Sequence, residues 1–180
     1  MTTSTTSTTS TTGPTLATWT TTVDSPVGPL LLTSNGTALT RLLFDVPPDP
    51  TWSTEPSPVL EEAVRQLAEY FAGERRDFDL PLEPAGTPFQ LTVWAALRDI
   101  PYAGTINYGQ LAGRVGNPNA SRAVGLANGR NPISIVVPCH RVIGADGSLT
   151  GYGGGLERKR TLLELERRTA GDQAPQLSLL

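Results

Sequence analysis

The sequence predicts an α+β protein: a small N-terminal antiparallel sheet with one helix, followed by a mostly helical C-terminal domain containing a helix-turn-helix. Three observations predict it. Three short runs with strand character, separated by turn signals, precede a proline-rich loop. Apolar residues at helical spacing follow from Pro58 onward. Capping signals then divide the second half into short helices rather than one long one.

Residues 1–12 are almost all Ser and Thr, too polar to bury a core, and read as a disordered tail. Residues 13–84 form the N-terminal α+β unit. Its strands are expected at Ala17–Val23, Pro29–Thr33 and Ala38–Phe44, and Ser34-Asn35-Gly36 is a hairpin turn between the last two. Ser57-Pro58 opens a helix whose Leu60, Val64, Leu67 and Phe71 share a face, and Gly73 stops it.

Residues 85–168 form the second unit, with 169–180 as a tail. Thr87-Pro88-Phe89-Gln90 is a capping box with proline at the first helical position. The helix it opens places Phe89, Val93, Leu97 and Ile100 on one face, with Trp94 in the core. Asn107 and Gln110 cap the next helix, which buries Leu111 and Val115. Gly116-Asn117-Pro118 breaks the chain, and Asn119 caps a further helix to about Asn128. That helix carries Ser121, Ala123 and Gly125, small residues that allow close backbone approach, and one long cation, Arg122. Arg122 fits either insertion into a groove or base stack, or a plain surface position on a core helix. The last helix runs from Leu156 to about Arg168. Leu162 and Leu163 face inward, and Arg158, Lys159 and Arg160 face outward.

A chain of 180 residues can bury a real core. One cysteine excludes an internal disulfide, and with one histidine it excludes a Cys/His structural zinc site. No metal or cofactor is expected. A reduced, cytoplasmic setting follows, with no membrane span and no signal peptide in the sequence. The net charge is −3, but its halves differ: through Pro84 there are 4 Arg against 11 acids, and from Ala85 there are 10 Lys and Arg against 6 acids. The basic half is the expected interaction surface.

The only cysteine, Cys139, precedes the only histidine, His140, at the end of an apolar run: Ile133, Ile135, Val136 and Val137, between Pro132 and Pro138. That run reads as a buried extended segment. A thiol fixed there beside an imidazole is a candidate nucleophile, because thiolate is the reactive form and a neighbouring base or cation makes it available. The bland alternative is a small buried residue before a surface histidine. The glycines at 153–155 suit a flexible loop or a close backbone approach to a ligand.

Pro138-Cys139-His140-Arg141-Val142 resembles the active-site signature of the O6-alkylguanine-DNA alkyltransferases. Pro88-Phe89 through Val93-Trp94, Ile100-Pro101, Tyr108-Gly109, Gly116-Asn117-Pro118, Arg122-Ala123-Val124-Gly125, Asn131-Pro132 and the Gly-rich turn stand in the family's order and spacing. The resemblance implies direct DNA repair. The alkyl group of O6-alkylguanine, and of O4-alkylthymine, passes irreversibly to Cys139 in a single turnover. His140 draws the thiol proton through a water and Glu166 orients the imidazole. Tyr108 protonates the departing guanine, and Asn131 is a hinge between the recognition helix and the active-site segment. The backbone at Val142 reads the exocyclic amine, and that of Gly153 reads the guanine oxygen. Arg122 fills the space of the extruded nucleotide. Ser121, Ala123, Gly125, Arg141 and Tyr152 join the residues contacting substrate or DNA.

The implied partner is double-stranded DNA containing alkylated guanine, bound through the minor groove, with no obligate protein partner and no membrane. Ser134 stands where proline is frequent, Gly153 where some relatives have serine, and Asn107 where serine is common. Sensor members of the family carry an additional Cys-rich domain, to which nothing in this sequence corresponds, so direct repair is the expected role. Two rivals stand beside this reading. A thiol hydrolase would need a water-labile intermediate. A non-catalytic binder of alkylated bases would not need Cys139.

Overall fold

The computed structural model describes residues 17–171, so the Ser/Thr-rich tail expected at 1–12 and residues 172–180 lie outside it. Strands β1 (Trp19–Val23), β2 (Leu30–Ser34) and β3 (Leu39–Phe44) form an antiparallel sheet in sequential order. Trp19 pairs with Ser34 and Val23 with Leu30, while Leu30 pairs with Phe44, and a bulge falls at Thr33/Ser34. All five β2 residues are buried, so its three leucines stand in succession instead of alternating with polar residues. Helix α1 (Pro58–Ala72) packs on the sheet and ends at Gly73, which adopts a left-handed φ of 79°. Its buried face is Leu60, Ala63, Gln66, Leu67 and Tyr70; Val64 and Phe71, expected on that face, lie at its margins.

Helix α2 (Pro88–Arg98) opens on the expected capping box, with both reciprocal hydrogen bonds formed at Thr87 and Gln90. Val93, Leu97 and Ile100 are buried, but Phe89 is 39% exposed because it sits in the first turn, ahead of the packed face. Trp94 is in the core and donates its indole N–H to the Ala127 carbonyl at 2.9 Å. A two-residue strand β4 (Ile106–Asn107) leads into α3 (Tyr108–Arg114), capped by Asn107 and Gln110 as expected. Leu111 and Ala112 are its buried residues, and Val115 is only partly covered.

Helix α4 spans Ser121–Gly129, and Asn119 does not cap it. The Ala120 N–H bonds to the Asn117 carbonyl at 2.9 Å, so a turn through Pro118 delays the helix start and leaves Ala120 in the capping position. A 3₁₀ turn (Cys139–Arg141) then runs into β5 (Val142–Ile143), which pairs in parallel with β4. Helix α5 (Leu156–Gly171) closes the fold, continuing through residues expected to be tail.

The outer edge of β3 is covered by two segments of the second half and its linker. Leu39 exchanges backbone hydrogen bonds with Pro81 and Glu83. Leu42 donates to Pro132 at 2.8 Å and accepts from the Ser134 N–H at 3.1 Å. An otherwise bare sheet edge therefore anchors the segment that carries Cys139. Arg158 adds a second tie, donating to the Val27 carbonyl and pairing with Asp45. One contiguous apolar core runs from Val27 and Leu30 through Val93 and Leu111 to Val142 and Leu165.

Candidate active site

The segment before Cys139 is buried as expected, but it is not extended. After a bridge between Leu42 and Ile133, the chain folds into tight turns, with Val136 N–H bonded to Ser134 and Val137 N–H bonded to Ile133. Ile135 takes a φ of 71°, a conformation that β-branched residues rarely adopt. Pro138, at φ −81° and ψ 62°, sits at the centre of an inverse γ-turn closed by Cys139 N–H and the Val137 carbonyl at 2.8 Å. Local backbone bonds satisfy a buried segment that a sheet would otherwise have to satisfy. They also place Cys139 at the head of the 3₁₀ turn, so that its thiol points toward Asn131 while His140 and Arg141 turn to Glu166.

Asn131 knits this turn together. Its Nδ2 donates to the Val137 carbonyl at 2.7 Å and to Cys139 Sγ at 3.1 Å, and its Oδ1 accepts from Ile133 N–H at 3.1 Å. Asn128, at the end of α4, is buried with its amide 3.5 Å from the Cys139 carbonyl, tying that helix to the same turn. Burial pushes the Cys139 thiol up to about 11, against the Asn131 hydrogen bond and the nearby Lys159 charge, which both favour thiolate. At neutral pH the thiol therefore keeps its proton and needs a base.

His140 is fully buried, and its Nε2 lies 2.8 Å from Glu166 Oε1. Burial lowers its proton affinity, although Glu166 opposes this. Glu166 is also buried, which alone would raise its pKa, yet His140 and Arg141 hold it at about 2. A carboxylate facing Nε2 makes that nitrogen the N–H donor, leaving Nδ1 with its lone pair. Nδ1 has no hydrogen-bond partner among the described residues. The pair is a neutral imidazole oriented by an ionised carboxylate, the arrangement of a general base.

Arg141, expected to contact DNA, is instead 5% exposed and points inward. It holds Glu166 through Nε and Nη2 at 3.0 Å each, and the Ile100 carbonyl through Nη1 at 2.7 Å. A buried carboxylate recruits its cation, and the turn directs Arg141 to the same side as His140.

Lys159 is the residue that sequence reasoning placed on the wrong side. It is fully buried, and its Nζ donates to the carbonyls of Val142 at 2.6 Å and Thr150 at 2.7 Å. Burial pulls its pKa down to about 8, with Cys139 opposing. The signal was present: Lys159 shares a helical face with Leu162, Leu163 and Glu166. Tyr108, placed at the start of α3 by the Asn107 cap, donates its hydroxyl to Thr150 at 3.1 Å and to Gly151 at 3.2 Å. Burial is the main cause of its raised pKa, so the phenol stays protonated and able to donate.

The Gly-rich turn is fixed by packing. Tyr152 stacks obliquely on Phe44 of β3, with ring centroids 6.0 Å apart, and a Cβ on Gly154 would lie 2.6 Å from Phe44. Only glycine lets the turn press against the sheet. Gly153 is exposed beside Arg130, Asn131 and Ser134 in a cleft of about 810 Å³, also lined by Arg41 and Phe44. On α4, Arg122 and Ala123 are exposed, and Ser121 and Gly125 are half-buried. Leu126, one turn beyond Arg122 and not singled out from the sequence, is 61% exposed.

The fold and this site define a class: a two-part α+β protein whose buried thiol faces an amide donor, next to a histidine–carboxylate pair and a short helix bearing a lone cation. Residues 19–84 match the 6-O-methylguanine DNA methyltransferase ribonuclease-like domain, and residues 88–168 match the DNA-binding domain of the same name. A methylated-DNA–protein-cysteine methyltransferase of Mycobacterium tuberculosis is 54% identical over 153 residues, covering 83% of this chain and 92% of its own. One from Methanosarcina acetivorans is 53% identical, covering 79% and 94%. The crystal structure of M. tuberculosis OGT in complex with DNA superposes with a TM-score of 0.78 at 53% identity, covering 84% of this chain and 94% of that one. The chain belongs to the O6-methylguanine DNA methyltransferase family, and its chemistry is direct-reversal DNA repair by alkyl transfer to a cysteine.

Proposed function

We propose that Cys139 is the alkyl acceptor and that O6-alkylguanine in duplex DNA is the substrate, with O4-alkylthymine a second one. The observation that carries this is the setting of the only cysteine in the chain, held by Asn131 beside the His140–Glu166 pair. No direct bond joins the thiol and the imidazole among the described residues, so a water carries the proton from Sγ to His140 Nδ1. The thiolate attacks the sp³ carbon on the guanine oxygen. The S–C bond forms as the C–O bond breaks, and the electron pair stays on the guanine. Tyr108 donates its proton to the leaving base, which departs neutral. The imidazolium then returns a proton to the Tyr108 phenolate through solvent, so in net balance the thiol has lost one proton and guanine has gained one.

In this reading α3 and α4 act as a helix-turn-helix, with residues 13–84 as support and 85–168 as the transferring domain. The small face of α4 enters the minor groove, and Arg122 occupies the gap left when the target nucleotide is rotated out. Val142 and Gly153 supply backbone contacts to the extruded base, and Tyr152 packs beside it. Ser134 widens the adjoining cleft for larger alkyl groups. No described helix is long and apolar enough to cross a membrane, and DNA in the cytoplasm is the site of action.

The test is a titration of duplex containing one O6-methylguanine, read by intact mass and peptide mapping. Repair saturates at one lesion per protein, with one methyl on the peptide holding Cys139. Complete repair with unmodified Cys139 overturns the assignment, and tight binding without transfer makes the protein a lesion binder.

A further inference from the structure

We infer that Tyr70, in the N-terminal half, is a positioning residue that sets the basicity of His140 by sharing Glu166 Oε1 with it. The inference rests on the relay proposed above. Among the described residues, the Glu166 carboxylate accepts from His140 Nε2 at 2.8 Å, Arg141 Nε and Nη2 at 3.0 Å, the Ala103 N–H at 3.0 Å and the Tyr70 hydroxyl at 2.8 Å. The first three donor groups belong to the half that carries Cys139. Tyr70 comes from α1, 96 residues before Glu166. Both Tyr70 and Glu166 are fully buried, so no solvent competes for this bond. Burial, with the Glu166 charge, keeps the phenol protonated and hence a donor.

The ring is fixed independently of the hydroxyl. It packs against Phe71, Phe78 and Tyr102 at centroid distances of 5.3, 5.4 and 6.1 Å. Tyr70→Phe therefore removes one donor and leaves the packing. The other charged and titratable groups around the pair are Arg141, Lys159, Cys139 and Tyr152, with Tyr102 carrying Arg76 and Arg141 over its ring. The substitution alters none of them.

The direction follows from charge. A donor on Oε1 disperses the carboxylate charge that stabilises imidazolium. Without it, Glu166 holds a proton on His140 more strongly, and the base is neutral only at higher pH. The N-terminal half thereby acts on the reaction through one hydroxyl.

The experiment is the single-turnover transfer rate against pH for wild type, Tyr70→Phe, Glu166→Gln and the double variant, with thermal melts on each. A protein carrying 3-fluorotyrosine at position 70, a stronger donor of nearly the same shape, is the fifth sample. Tyr70→Phe is expected to move the acid limb up by about 0.5–1 pH unit and leave the plateau near wild type. The fluorinated residue moves the limb down. In the Glu166→Gln background, Tyr70→Phe moves nothing. A purely structural role lowers the melt or the plateau without moving the limb, and overturns the inference. So does an equal shift in the Glu166→Gln background. Wild-type behaviour of Glu166→Gln itself overturns the relay and this inference together, whereas a slowed Glu166→Gln with an unmoved Tyr70→Phe limb overturns the role of Tyr70 alone.

Discussion

At the scale of single residues, Lys159 sits between two arginines that reach solvent or the sheet, yet its own ammonium is inside. Two carbonyls hold it there, Val142 from the strand after the 3₁₀ turn and Thr150 from the Gly-rich turn. Thr150 also accepts from Tyr108, so one carbonyl links the cation to the proposed proton donor. Lys159→Met removes both the charge near Cys139 and the donor to the Val142 and Thr150 carbonyls. With the counter-charge gone, the thiol pKa rises above its present value of about 11. Alkylation of Cys139 by iodoacetamide should slow about tenfold or more at neutral pH, and its pH dependence should move to higher pH. An unchanged alkylation profile would show that Lys159 only braces the two turns. Glu166 has a consequence for stability. Its pKa is depressed on folding, so its contribution is present above about 4.5 and lost as pH falls toward about 2.

At the scale of elements, the 3₁₀ turn separates three adjacent side chains toward three tasks. Cys139 faces the Asn131 amide, while His140 and Arg141 converge on Glu166 of α5. Helix α4 is tied to this turn from behind by Asn128, while Arg122 and Leu126 face outward. Arg122→Ala should therefore leave the chemistry intact and weaken use of duplex. The expected result is a loss of duplex repair of tenfold or more, about 1.4 kcal/mol, with reaction toward the free alkylated base near wild type. Comparable losses on both substrates would assign Arg122 to the pocket instead.

At the scale of the whole molecule, the sheet and the transferring half share one core, and β3 is paired on its outer edge by Pro132 and Ser134. Cys139 belongs to that core. A thioether at Cys139 adds volume where the chain is already held by tight turns. Overpacking of a filled core costs about 1–3 kcal/mol. The alkylated protein should melt several degrees below the fresh protein, with a larger drop for a benzyl than for a methyl adduct. Equal melting temperatures for fresh and spent protein would show that the pocket absorbs the group without strain.

The local rules written in the sequence were enough for the parts that depend on near neighbours. Strand positions followed from apolar runs and turn residues, and the Thr87 and Asn107 capping boxes fixed two helix starts, because a cap involves only residues three apart. The Cys139–His140 pair stood out because each is the only residue of its kind. What the tertiary structure decided was orientation between distant segments. Arg141 turned inward because a buried Glu166 lies 25 residues ahead of it, and Lys159 because two carbonyls converge where its helix crosses the turn. The turns at Ile133–Val137 replaced an extended strand because β3 pairs with this segment only at Pro132 and Ser134, while Leu39 is taken by Pro81 and Glu83. The bond from Tyr70 to Glu166 joins residues 96 apart, and no local pattern encodes which buried carboxylate a buried phenol will meet.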